Sequence, residues 1–115
     1  MQRRFRLTRS EDFQRVRRSG KSYAHPLVVL VALKRETAHT RVGVTAGKTT
    51  GTAVRRNRAK RLLREAVRPM LGTLPAHWEI ILIARPAIAA ATIEQVRAAV
   101  ADVLRRAALL PVNEH

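Results

Sequence analysis

The stretch AVRRNRAKRLLREAVR, Ala53 to Arg68, decides how this chain is read. Wound at about 3.6 residues per turn, it sets Ala59, Leu62, Leu63, Ala66 and Val67, with Met70 just beyond, on one stripe. That spacing predicts a helix with one buried face. A second face carries Asn57, Lys60, Arg61, Arg64 and Arg68, with Arg56 at its margin. Glu65 is the sole acid of the stretch and can neutralise only its neighbours Arg61 and Arg68. Solvated helix faces usually mix charge signs, and this one hardly does. It also uses arginine, whose planar fork matches phosphate oxygens and stacks on bases. The expectation is a helix set between a core and a polyanion.

Composition points the same way. The 115 residues suit one domain with a single core. Lys and Arg number 23 against 8 Asp and Glu, a formal charge of +15. Self-repulsion of that size calls for a compensating polyanion, and nucleic acid fits best. Cysteine is absent, which excludes disulfides, thiolate metal sites and thiol catalysis and suits a reducing, cytoplasmic setting. The opening MQRRFRLTRSEDF has no apolar run behind it, unlike a signal peptide. No stretch approaches the roughly 20 apolar residues of a membrane span, so no membrane partner is expected.

Outward from the central helix, the chain reads as α, β, β, α, β, α, an α+β sandwich of three helices on one small sheet. Residues 1–9 form a basic arm with Arg3, Arg4, Arg6 and Arg9, which either orders on RNA or frays. Ser10 is the expected N-cap of a short helix over Glu11–Arg18, with Phe13 and Val16 on its apolar side. The run PLVVLVAL, Pro26 to Leu33, is apolar on both faces and predicts an interior strand. KRETAHT, Lys34 to Thr40, reads as a hairpin loop leading into a second strand, RVGVTAG, Arg41 to Gly47. In that strand Val42, Val44 and Ala46 alternate with Gly43, Thr45 and Gly47, leaving one face small and bare. Such a face suits the close approach of a ligand backbone or of a packed helix. Glu79 to Arg85 is the third strand, and Thr92 with Gln95 opens the last helix in a capping-box pattern. The domain is expected to span 1–115, with a folded core over 10–108 and a tail over 109–115.

Catalytic chemistry is hard to find. Gly43-VTA-Gly47-Lys48-Thr49 imitates a Walker-type phosphate loop, but that loop needs four residues between its glycines and this chain has three. His25, His39, His77 and His115 are scattered without metal-ligand spacing. Hydrolysis of phosphodiesters generally needs carboxylates holding two metal ions, and the acids here do not form such a set. If the chain serves that reaction, another component supplies the catalytic groups. Aromatics are few (Phe5, Phe13, Tyr23, Trp78), so phosphate contacts must carry most of any affinity. About five contacts to a single strand would give a log–log salt slope near about −3.5.

The run from Arg41 to Arg68, with its R-V-G strand, Lys48, Gly51 and the R-N-R-x-K-R-x-x-R-E helix, resembles the signature of the bacterial ribonuclease P protein subunit. The flanks match as well: S-E-D-F-x-x-V followed by Ser-Gly, a third strand ending I-x-A-R-P, and a capped final helix. The resemblance covers roughly residues 3–108. It implies an RNA-binding subunit that assists a catalytic RNA in 5′-end maturation of precursor tRNA. The partners would be ribonuclease P RNA and the precursor's 5′ leader, with no small-molecule substrate. Mg2+ would be held mainly by the RNA, with no metal site and no catalytic residue on the protein. A left-handed β-α-β crossover is part of the implied fold, against the usual hand. Carried over, Arg56, Asn57, Arg58, Lys60, Arg61, Arg64 and Arg68 would contact RNA. Phe13, Arg17, Thr45, Gly47 and Lys48 would line a leader cleft between the first helix and the sheet. The chain departs from the pattern at Arg17, Val31 and Thr49, where two aromatics and a lysine are common. Rival readings are an RNA-binding protein of ribosomal or translation-factor type, and a stand-alone nuclease, which the missing carboxylate cluster argues against.

Overall fold

The computed structural model describes residues 5–111. Arg3 and Arg4 of the basic arm and residues 112–115 of the tail, His115 included, lie outside that range. The elements are α1 (Ser10–Ser19), β1 (Lys21–Ala24), β2 (Val28–Lys34), β3 (Arg41–Ala46), α2 (Ala53–Val67), β4 (Trp78–Ala84) and α3 (Ile93–Arg106). Short 3₁₀ turns over Lys48–Thr50, Arg68–Thr73 and Pro86–Ala90 join them. The α+β reading holds with one strand added. β1 (KSYA) is too short and too polar to announce itself; it exists because it folds back on β2 through a turn closed by the His25 N–H to the Val28 C=O at 2.9 Å.

The sheet runs β1-β2-β4-β3, antiparallel except for the parallel β3/β4 pair. The hairpin expected at Lys34–Thr40 is therefore absent: β4 lies between β2 and β3. The reason is burial. β2 and β4 are apolar on both faces and gain most from a neighbour on either side, whereas β3, with Gly43 and Thr45, tolerates an edge. The connection after β2 crosses the end of β4 and is held there. Arg35 N–H donates to His77 C=O at 2.8 Å, and the Thr40 hydroxyl donates to Pro75 C=O. His77 takes a left-handed φ of 73° and its Nδ1 lies 2.6 Å from Thr37 O.

One sheet face, with Leu30, Val42, Ile80 and Leu82, packs on Ala59, Leu63, Ala66 and Val67 of α2 and on Val96, Val100 and Leu104 of α3. The stripe read from the sequence is that buried face, Leu62 and Met70 lying half-buried at its border. The cap predicted at Thr92 forms, and α2 gains one at Thr52. Thr52 accepts from Arg55 N–H, and Thr92 and Gln95 complete a reciprocal box. At α1 the cap differs: Arg9 occupies the position without a side-chain bond, and Ser10 is already inside the helix.

The other sheet face carries α1. Val16 of the helix, Leu7, Val31 and Ile81 form a second, smaller core, against which Phe13, Val29, Leu33 and Ile83 are partly buried. Leu7 reaches it because the N-terminal segment adds one parallel bridge to β3, Arg6 opposite Val42, with the Leu7 N–H 2.9 Å from Val42 O. The outer edge of β3 is thereby partly covered. The opposite edge of the sheet is β1, four residues long, with Lys21 Nζ 5.7 Å from the Tyr23 ring centroid. No described helix is long and apolar enough to cross a membrane.

Gly43 is small for a packing reason. A Cβ there would stand 2.4 Å from Phe13 Cζ, whereas one on Gly47, at φ −78°, would meet nothing within 4 Å. Gly43→Ala is expected to destabilise the fold by about 1–3 kcal/mol through displacement of the Phe13 ring. Gly47→Ala should stay within about 1 kcal/mol of wild type and lean towards stabilising. Urea unfolding of the two variants measures the contrast; equal costs would mean that Phe13 does not seat on Gly43.

Candidate nucleic-acid interface

The α2 cations divide by what they touch. Gly51, at φ 124°, and the Thr52 cap set the start of the helix just past the end of β3. From there Arg56 Nε donates to Ala46 C=O at 3.0 Å, and Arg58 donates to Ala89 C=O at 3.3 Å. Arg68 pairs with Glu65 at 2.8 Å. Among the described residues, Asn57, Lys60, Arg61 and Arg64 have no side-chain partner. Arg61 and Asn57 are exposed; Lys60 and Arg64 are half-buried beside the helix. So three of the seven predicted residues are tied to the protein through part of their side chains, and four stand open. Val54, 79% exposed near the start of the same helix, is an apolar member of this surface that the sequence reading passed over.

α1 builds a second surface by leaning on one side of itself. Arg15 reaches across to Glu79 on β4, donating through Nε at 3.2 Å and through its terminal nitrogen to both carboxylate oxygens at 2.7 and 2.9 Å. Asp12 closes on the same guanidinium at 2.6 Å, and Arg35 Nε lies 3.6 Å from Glu79. The Glu79 hydrogen bonds, then those of Asp12, hold the Arg15 guanidinium above its usual protonation range, so the charge persists. The pin matters energetically. Burying Val16 and part of Phe13 contributes about 3–5 kcal/mol. Ordering a ten-residue helix costs about 1 kcal/mol or more per residue, which helix hydrogen bonds and this pair must offset.

At 100° per residue, Phe13 and Arg17 fall on the side of α1 away from Arg15. There the sheet is left incompletely covered. Thr45, Ile83 and Val29 lie side by side across β3, β4 and β2, all half-buried. This row is the floor of a cleft walled by α1. Phe13 packs on the small core with its tip over Gly43, so it is a wall that is part of the core rather than a free ring. Arg17 is exposed one turn further on, and Gly47 and Lys48 are exposed where β3 ends. The five residues predicted for the cleft are thus brought to one side of the sheet, around its open end. Arg85 belongs with them and was missed. Strand alternation puts it on the same face as Ile81 and Ile83, a period-two signal already present in EIILIAR.

Among the described residues no group of three or more His, Cys, Asp or Glu could hold a metal ion. Asp12, Glu65, Glu79 and Asp102 are each engaged with arginine. What the two surfaces can do is bind phosphate and exclude water from an apolar floor.

The sequence matches the family model described as Ribonuclease P over residues 1–108. Similar curated proteins include the ribonuclease P protein component of Herpetosiphon aurantiacus, 40% identical over 109 residues, covering 95% of this chain and 89% of that protein. That of Brevibacillus brevis is also 40% identical, over 111 residues, covering 96% and 88%. Among solved structures, the ribonuclease P protein of Staphylococcus aureus superposes with a TM-score of 0.83 at 30% identity, covering 93% of this chain and 98% of that one. The Thermotoga maritima protein gives 0.77 at 28%, covering 88% and 96%.

Arg15→Ala should cost about 3 kcal/mol in chemical denaturation, because it strands the buried Glu79 carboxylate with only the longer Arg35 contact. Arg35→Ala should cost under about 1 kcal/mol. Similar losses for both would remove Arg15 from its role as the pin of α1.

Proposed function

The chain belongs to the ribonuclease P protein family, and from that premise we propose that it binds both the catalytic RNA and the 5′ leader of precursor tRNA. In this reading Asn57, Lys60 and Arg61 of α2 lie against the RNA, with Arg56, Arg58 and Arg68 steadying that face and Arg64 at its border nearest β3. The observation that carries the reading is the set of α2 side chains, Asn57, Lys60, Arg61 and Arg64, left without an acidic or carbonyl partner among the described residues. A polyanion is the partner such a surface lacks.

The leader lies in the cleft over Thr45, Ile83 and Val29. Arg17, Lys48 and Arg85 meet its phosphates, and the apolar floor meets its bases or sugars. Because Phe13 is engaged with Gly43 and Arg17 stands where an aromatic is common in the family, this cleft relies more on charge than on stacking. The cutting is done by the RNA, and Mg2+ is held by RNA phosphates. The protein's own contribution is to anchor the single-stranded leader beside the scissile bond, raising substrate affinity at ion concentrations where the RNA alone is weak.

The test is direct. Added to a bacterial ribonuclease P RNA and precursor tRNA at low magnesium, the protein is expected to stimulate 5′ cleavage. No stimulation would favour a ribosomal-type RNA binder instead. Arg61→Ala with Arg64→Ala should weaken binding and flatten the log–log salt slope by about 1.4, two contacts at about 0.7 each. An unchanged slope would return that face to ordinary solvated surface.

A further inference from the structure

A cavity of about 180 Å3 opens at the outer edge of β3, lined in part by Arg6, Thr8, Phe13, Val44 and Arg64. The edge explains it. Pairing between the N-terminal segment and β3 stops at the single bridge of Arg6 with Val42. The C=O of Ala46, four residues on and facing the same way, is taken by Arg56. Between these two, the main chain of Val44 faces the edge by the same alternation, and no described residue pairs with it there. Arg6 and Arg64 both line this gap. Neither guanidinium has a partner among the described residues, and no acid lines the cavity. Two like charges converging on a small cavity repel one another until an anion enters between them.

We propose that this cavity is a one-nucleotide site for single-stranded RNA: Arg6 and Arg64 clamp one phosphodiester at the β3 edge, and the nucleoside rests against Phe13 on the α1 side of that edge. Inorganic phosphate would satisfy the charges but leave the apolar wall wet, so a nucleotide fits better than a free anion. The position gives the site its task. Phe13 belongs to the cleft and Arg64 to the α2 face, so a strand held here turns around the β3 edge from one surface to the other. The proposal rests on the reading that the leader occupies the α1 cleft, and it adds a fixed turning point to that path.

The experiment uses the holoenzyme reconstituted with saturating protein and a set of precursor tRNAs, each with one neutral methylphosphonate linkage along the leader. Arg6→Ala and Arg64→Ala should each weaken binding of leader-bearing substrate about tenfold, with unchanged thermal midpoints and little effect on leaderless tRNA. One and the same neutral linkage should erase both effects. The site is overturned if the two substitutions are erased at different linkages or at none, or if leaderless tRNA shows the same loss. A wild-type protein that gains nothing from the leader would defeat the cleft reading itself; a leader-dependent gain that both variants retain would defeat only the pocket.

Discussion

The contact between Arg15 and Glu79 organises one side of the molecule. Glu79 is 2% exposed on a central strand, a place where a carboxylate survives only with a close cationic partner. That partner comes from α1, so the helix must cross the sheet where the carboxylate stands. Packing alone would leave the position of α1 loosely set, since Val16 is its only fully buried side chain. Fixing one margin of the helix leaves the other margin, with Phe13 and Arg17, facing an uncovered row of sheet. The cleft is in this sense the complement of an ion pair.

The same pairing shapes the charge of the whole surface. Asp12, Glu65, Glu79 and Asp102 are committed to arginines of the structure, so few acids remain to quench the outward cations. A fold with +15 formal charge bears repulsion that bound RNA relieves, and any ligand that prefers the native state adds to its stability. On the proposed reading, stability and RNA affinity are coupled through the α2 face. Arg56 and Arg58 illustrate how closely: each holds a carbonyl of the scaffold while standing beside the open cations.

Local pattern made much of this legible. The stripe of α2, the Thr92 cap, and the apolar runs of β2 and β4 are all signals within a few residues, and all appear as read. The missed features depend on distant partners. β1 is a strand only because β2 lies beside it. The supposed hairpin failed because β4, more than thirty residues later in the chain, displaced β3 from β2. Nothing near Arg15 in sequence marks it out from the cations beside it, because its carboxylate is 64 positions away. Ser10 lost the cap to Arg9 in a segment already steered by the Leu7 bond to β3. Arg85 alone of the missed features is a local signal, carried by strand alternation in EIILIAR.

The two margins of the sheet are guarded in different ways. β1 is short and carries a lysine, which discourages another chain from zipping on. β3 instead wears a strap made from Arg6 and Leu7. A shortened version starting at Ser10 would unclip that strap, baring a longer ribbon of main chain beside an emptied Leu7 socket. Such a fragment would carry most of the fold and yet be prone to stick to its own kind, so Arg6 and Leu7 serve as insulation as well as grip.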